Sequence, residues 1–236
     1  LKQFKQRIIL FRKEFILYYL GRIIGFFLFV LIIKPLRYIY GKRECVYINL
    51  ENLELLKDRS FFIASNHIKP RSMFLKFISF PYDAFLARKM LKLKGFYATA
   101  LTSYDAPTRP KSKLEKFFIE SIKQKLTKGI VKSIDLIPLN RKSSDKSLVI
   151  ELNRKIKKRA TAIGIFPEGT WFRGFRKSRK MYNGVQVLSK RYNLPILPIF
   201  IDAYNLNKPI QIRIGKPIFD SDDLSVADKI RELSHA

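Results

Sequence analysis

Two short clusters carry the residue types that can do chemistry. The first is Ser65-Asn66-His67-Ile68-Lys69-Pro70-Arg71-Ser72, and the second is Phe166-Pro167-Glu168-Gly169-Thr170. An imidazole can take a proton from a hydroxyl while that oxygen attacks an activated acyl carbonyl. The chain has 2 His, and His235 adjoins the C-terminus, so any imidazole mechanism rests on His67. A lone loop histidine is otherwise a surface residue. A second polar cluster, constrained by Pro167 and Gly169, shifts the reading toward a site. The single Cys45 excludes an intramolecular disulfide and any multi-cysteine metal centre. No metal and no bound cofactor is expected.

Both clusters directly follow runs that read as buried strands, Phe61 to Ser65 and Ala162 to Phe166. Strand ends in open α/β sheets deliver side chains into a shared crevice. Ile196 to Ile201 and the alternating Ile210 to Ile214 read as further strands. Helical spacing of apolar residues runs through Ser112 to Leu126, Ser147 to Lys158 and Met181 to Tyr192, with Leu224 to Leu233 as a closing helix. The alternation predicts an α/β fold, a mixed sheet flanked by helices. It occupies residues 46–236 as one domain, behind a membrane-associating helical segment at 1–45.

That first segment places Lys2, Lys5, Arg7, Arg12 and Lys13 before an apolar stretch, Phe15 to Ile33, whose one charge is Arg22. Tyr18, Tyr19, Tyr38 and Tyr40 flank it as an interfacial belt would. A bilayer span needs about 20 apolar residues, so the stretch is borderline for crossing and well suited to lying in the interface. A buried core helix is the plain alternative. Neither a cleavable secretory signal nor a matrix presequence is expected, since no small-residue cleavage site follows Ile33 and residues 1–50 contain no Ser or Thr.

The formal charge is +28, from 47 Lys plus Arg against 19 Asp plus Glu. Such an excess costs self-repulsion and suggests an anionic partner. An anionic membrane surface, an acidic acyl donor or RNA would serve, and biased composition is the plain explanation. The hydrophobic fraction of 47% excludes a disordered polyelectrolyte.

Asn66-His67, with the Phe-Pro-Glu-Gly-Thr run about a hundred residues later, resembles the phospholipid/glycerol acyltransferase family, which includes the 1-acylglycerol-3-phosphate acyltransferases. Two further blocks align in order: Ile137 to Arg141, and the Pro-containing strand Leu194 to Ile199. The resemblance implies that His67 is the general base and that Arg141 binds a substrate phosphate, which suits a guanidinium fork. It also implies that Glu168, Gly169 and Thr170 orient the acceptor and that Asn66 shapes the turn. Arg173 adds a phosphate contact from the loop beyond. The acceptor would be a lysophospholipid or glycerol phosphate, and the donor acyl-CoA or acyl-carrier protein. The protein would be membrane-associated and face a reducing compartment.

One departure matters. The family's aspartate falls on Ser72, which supplies no charge to a protonated imidazole. Asp83 and Asp105 are carboxylates that could stand in spatially. Without one, a catalytically weakened acyltransferase-fold scaffold is the second reading, serving a membrane complex or a ribonucleoprotein. A lipid-binding module without turnover is the third. Trp171, after the Thr, also departs from the family pattern and touches substrate preference.

Overall fold

The computed structural model describes residues 2–35, 38, 43–69, 82–104, 112, 122–141, 146–158, 160–205, 207–220 and 226–235. Two compact units emerge. One comprises Leu1–Tyr38 with Leu101–Asn153, and the other Ile39–Ala100 with Arg154–Ala236.

In chain order the elements begin with α1 (Lys2–Leu28), which continues through a π-helical stretch at Phe29–Ile33. Then come β1 (Cys45–Ile48), a 3-10 helix at Leu50–Leu56, β2 (Phe61–Ser65), α2 (Tyr82–Leu93), β3 (Tyr97–Ser103), α3 (Gln124–Ser133), β4 (Ile137–Leu139) and α4 (Lys146–Lys158). The remainder are β5 (Thr161–Ile165), α5 (Gly184–Tyr192), β6 (Ile196–Asp202), β7 (Ile210–Ile214) and α6 (Val226–Leu233). The strand order is β1-β7-β6-β2-β5-β3-β4, seven strands in all. Pairing is parallel except between β6 and β7. The fold is therefore the mixed α/β sheet with flanking helices that the alternating pattern predicts.

In the larger unit β2 lies between β5 and β6, and all five of its residues are buried. A strand covered on both faces reads as a continuous apolar run, which is why Phe61-Phe62-Ile63 is legible. β7 instead alternates, with Ile210, Ile212 and Ile214 buried. Helices α5 and α6 pack against β2 and β6. β3 escapes sequence reading because Tyr97-Ala98-Thr99-Ala100 is small and weakly apolar. Those small side chains fit their neighbour, since a Cβ on Gly164 of β5 would sit 3.3 Å from the Ala100 Cβ.

In the smaller unit the last three residues of β3 pair with β4, and α1 packs along α3. The α1–α3 contact is built on glycine. A Cβ at Gly21 would strike the Leu126 carbonyl, one at Gly25 would strike the Ser133 hydroxyl and Ile130, and one at Gly129 would strike the Tyr18 carbonyl. Backbones this close are possible only where side chains are absent. Residues 1–38 share a compact unit with Leu101–Asn153 through this seam, which three scattered glycines do not announce.

The opposite side of α1 stays uncovered. Phe15, Ile16, Ile23, Phe26, Phe27 and Leu31 are each more than half exposed. The stretch Phe15–Ile32 is apolar enough to cross a membrane, with mean hydropathy 2.3, and 11% of it is buried. By length and composition this is a helix that could associate with a membrane.

Gly21→Leu forces a branched side chain into the Leu126 backbone. Overpacking of this kind costs about 1–3 kcal/mol. The variant should show a lowered midpoint in thermal unfolding and faster proteolysis within α1. An unchanged melting curve with protected α1 would contradict the seam.

Candidate active site

β2 and β5 are adjacent parallel strands, so their C-terminal ends release the two sequence clusters side by side. The loops then bind each other. The Phe172 N–H donates to the His67 carbonyl at 3.0 Å, and the Lys69 N–H donates to the Phe172 carbonyl at 2.8 Å. Beyond these backbone bonds, side chains take over.

Asn66 is fully buried and works as a tether. Its Oδ1 accepts the Ile201 N–H at 2.8 Å, and its Nδ2 donates to the Ile201 carbonyl at 2.9 Å and to the Tyr204 hydroxyl at 3.1 Å. The loop after β2 is thereby fastened to the end of β6. Shaping the turn is the role the residue type suggests, and the partners supply the means.

Glu168 is 3% exposed. Its Oε2 accepts the His67 backbone N–H at 2.5 Å, and its Oε1 pairs with Arg179 Nη1 at 2.6 Å. The Arg179 guanidinium lies 3.4 Å from the centroid of the Phe172 ring. Phe166 to Gly169 forms a turn closed by the Gly169 N–H on the Phe166 carbonyl at 3.0 Å. Gly169 takes φ 68°, a left-handed conformation that glycine adopts without a steric penalty. Both Glu168 oxygens are thus engaged by the protein. The carboxylate positions the His67 backbone, where the family resemblance implies contact with the acceptor.

The imidazole of His67 stacks on Phe166, with centroids 4.2 Å apart and planes at 16°, and meets the Trp171 indole edge-on at 5.4 Å. Its Nδ1 is hydrogen-bonded to Oδ2 of Asp83, which lies in the first turn of α2. Asp83 is fully buried. Its Oδ2 also accepts the Ile68 N–H at 2.8 Å, and its Oδ1 accepts the Ala84 N–H at 2.8 Å. A carboxylate that takes backbone N–H groups acts as an acceptor, so Nδ1 donates to it, and in the neutral ring the lone pair is then on Nε2. Among the described residues nothing hydrogen-bonds Nε2, and the His67 side chain is 16% exposed.

The carboxylate that pairs with the imidazole is Asp83, 16 positions after the histidine. The expected site residue Ser72 lies outside the described residues. Thr170 and Arg173 are exposed on the loop after β5, and Gly169 is half-buried. Arg141 is exposed just after β4 and belongs to the other compact unit.

Two residues went unnoticed in the sequence. Arg179 hides in a run of basic residues, and nothing marks it as the one that pairs inward. Tyr204 follows β6 in a polar stretch. Burial is the main cause that pushes its hydroxyl up to about 12, and the Asn66 hydrogen bond opposes that shift. The Trp171 Nε1–H is buried without a partner among the described residues.

A family model described as Acyltransferase matches residues 117–202. The match takes in Arg141, Glu168, Gly169, Thr170, Arg173 and Arg179, and it stops short of Asn66, His67 and Asp83. It supports an acyltransferase function in the generic sense. No curated protein matches the chain.

Two outcomes follow for stability. Glu168→Ala leaves the Arg179 cation without its partner and should cost about 3–5 kcal/mol in urea unfolding, as for a broken buried pair. Tyr204 holds its proton longer folded than unfolded. Its contribution is present in full below its ordinary value of 10.0 and is lost as pH rises toward about 12. Tyr204→Phe should flatten that part of the alkaline stability profile, and an identical profile would contradict the burial.

Proposed function

We propose that the protein transfers a fatty acyl group from an acyl thioester, acyl-CoA or acyl-carrier protein, to the hydroxyl of a lysophospholipid or glycerol phosphate at a membrane surface. The observation that carries this reading is the His67–Asp83 pair, with Nε2 left to face a substrate. The acceptor O–H gives its proton to Nε2 while its oxygen forms a bond to the thioester carbonyl carbon. Asp83 stabilises the resulting imidazolium, the role a buried carboxylate plays beside a catalytic histidine. Collapse of the tetrahedral intermediate breaks the C–S bond, and the departing thiolate takes the proton back from Nε2. No redox step is needed.

Glu168 and Asn66 support the reaction indirectly. Each fixes the backbone on one side of His67, and a misplacement of about 1 Å can cost about 100-fold in rate. Contact with the acceptor and its phosphate is assigned to Thr170 and Arg173, a reading supported by their exposure on the loop after β5. For Arg141 the reading rests on the family resemblance. The match at residues 117–202 supports acyl transfer, while the acceptor, donor and membrane setting rest on chemistry. The membrane setting draws on the uncovered apolar side of α1.

The scaffold reading draws on Ser72 and on the charge of +28. The Asp83 carboxylate on the imidazole weighs against the first of these grounds.

An assay of lyso-lipid acylation by acyl-CoA or acyl-carrier protein separates the possibilities. His67→Ala should abolish turnover. Asp83→Asn should lower it about 10,000-fold, by analogy with the aspartate of a serine-protease triad. Ser72→Asp and Ser72→Ala should remain within a few-fold of wild type. Loss of activity in Ser72→Ala, with Asp83→Asn unaffected, would refute the assignment of the carboxylate.

A further inference from the structure

A nitrogen that activates an acceptor hydroxyl activates water equally well, so a transferase acting on a thioester must keep water from its base. The surroundings of His67 hold a barrier, and one residue of it takes no part in acyl transfer itself. Phe166 covers one face of the imidazole, with centroids 4.2 Å apart and planes at 16°, and Asp83 occupies the Nδ1 edge. A ring inclined at 66° cannot share the face that Phe166 covers. The Trp171 indole, 5.4 Å away, therefore stands on a side that the other two leave. With these neighbours in place the His67 side chain keeps 16% of its surface open.

The backbone holds Trp171 where it is. The next residue, Phe172, donates its N–H to the His67 carbonyl at 3.0 Å and accepts the Lys69 N–H at 2.8 Å, which pairs the two loops at Ile68 and Phe172. The Phe172 ring in turn lies 3.4 Å from the Arg179 guanidinium. Trp171 cannot swing away without breaking bonds to the loop that carries the imidazole. Among the described residues the indole N–H has no hydrogen-bond partner. What the side chain contributes there is apolar bulk.

We propose that Trp171 decides between a lipid hydroxyl and water as the acyl acceptor, as an apolar wall that keeps water from Nε2 until the acceptor is seated. The inference rests on the acyl-transfer reading. The competing reaction is hydrolysis. Water gives a proton to Nε2 while its oxygen bonds to the thioester carbonyl carbon. The C–S bond then breaks and the thiolate takes the proton back, leaving a free fatty acid and a free thiol. One base serves both routes, so the chemistry at Nε2 does not discriminate between them, and access must. A lyso-lipid brings its hydroxyl on an apolar body whose burial against the indole is favourable, and water has no such surface to bury.

The test measures thiol release from acyl-CoA, and from acyl-carrier protein in parallel, beside the acylated lyso-lipid formed; the difference is hydrolysis. Wild type should release thiol in step with product. Trp171→Ala should raise the ratio of hydrolysis to transfer about tenfold, the lower end of what apolar contacts give in discrimination. Trp171→Phe keeps an apolar ring and should hold the wild-type ratio. Thermal unfolding establishes that each variant is folded. An unchanged ratio in Trp171→Ala would overturn the proposal even with both rates lowered, since a merely structural loss lowers them together. A second readout needs no turnover. The chain has 2 His, so in a His235→Ala background carbethoxylation by diethyl pyrocarbonate reports access to the His67 ring alone. Trp171→Ala should accelerate it and Trp171→Phe should not; equal rates would overturn the wall. A wild type that consumes no thioester with any acceptor refutes acyl transfer, and the carbethoxylation rates then still decide whether Trp171 shields the ring.

Discussion

The site depends on one buried carboxylate bridging two loops. Glu168 accepts the backbone N–H of His67 with one oxygen and holds Arg179 with the other. An ionised side chain at 3% exposure is tolerated only when its oxygens are satisfied. The loop after β2 must therefore stay against the loop after β5. Stacking of the imidazole on Phe166, the backbone bonds to Phe172 and the approach of Trp171 all require that pairing. Asn66 closes the remaining side by grasping Ile201, so the histidine backbone is held from two directions and its ring has little freedom to turn.

Legibility followed locality. β2, β5, β6 and β7 were readable because burial on two faces, or on alternate ones, writes itself into four or five consecutive residues. His67 and Glu168 were readable because each sits at a strand end inside a short polar cluster. Asp83 could be named only as one of two carboxylates that might reach. Its pairing depends on where α2 begins, and the chain from residue 70 to 81 shows no period that would give that distance. Arg179 was unreadable for a different reason. In a chain carrying 47 Lys plus Arg, one inward-facing guanidinium has no compositional mark. Small residues concealed two further features, the strand β3 and the glycine contact between α1 and α3.

That glycine contact changes what the N-terminal helix is for. Within the apolar stretch of α1, Gly21 and Gly25 give α3 access to its backbone on one side, while Phe15, Ile16, Ile23, Phe26 and Phe27 stay exposed. α3 is amphipathic, and Lys132 Nζ lies 6.0 Å from the Tyr18 ring centroid of α1. Exposed apolar side chains and lysines are thus adjacent parts of one unit.

The energetics of Asp83 bear on whether the site is a relic. A buried ionised pair is seldom worth its desolvation, and replacing such a pair with well-packed apolar side chains is often neutral or stabilising by about 1–4 kcal/mol. Packing alone therefore gives no reason to keep a carboxylate fully buried against an imidazole whose second nitrogen has no hydrogen bond among the described residues. A merely structural histidine would be expected to satisfy both nitrogens within the protein. Here one is satisfied and oriented, while the ring as a whole keeps 16% of its surface open. That asymmetry is what the proposed proton transfer requires.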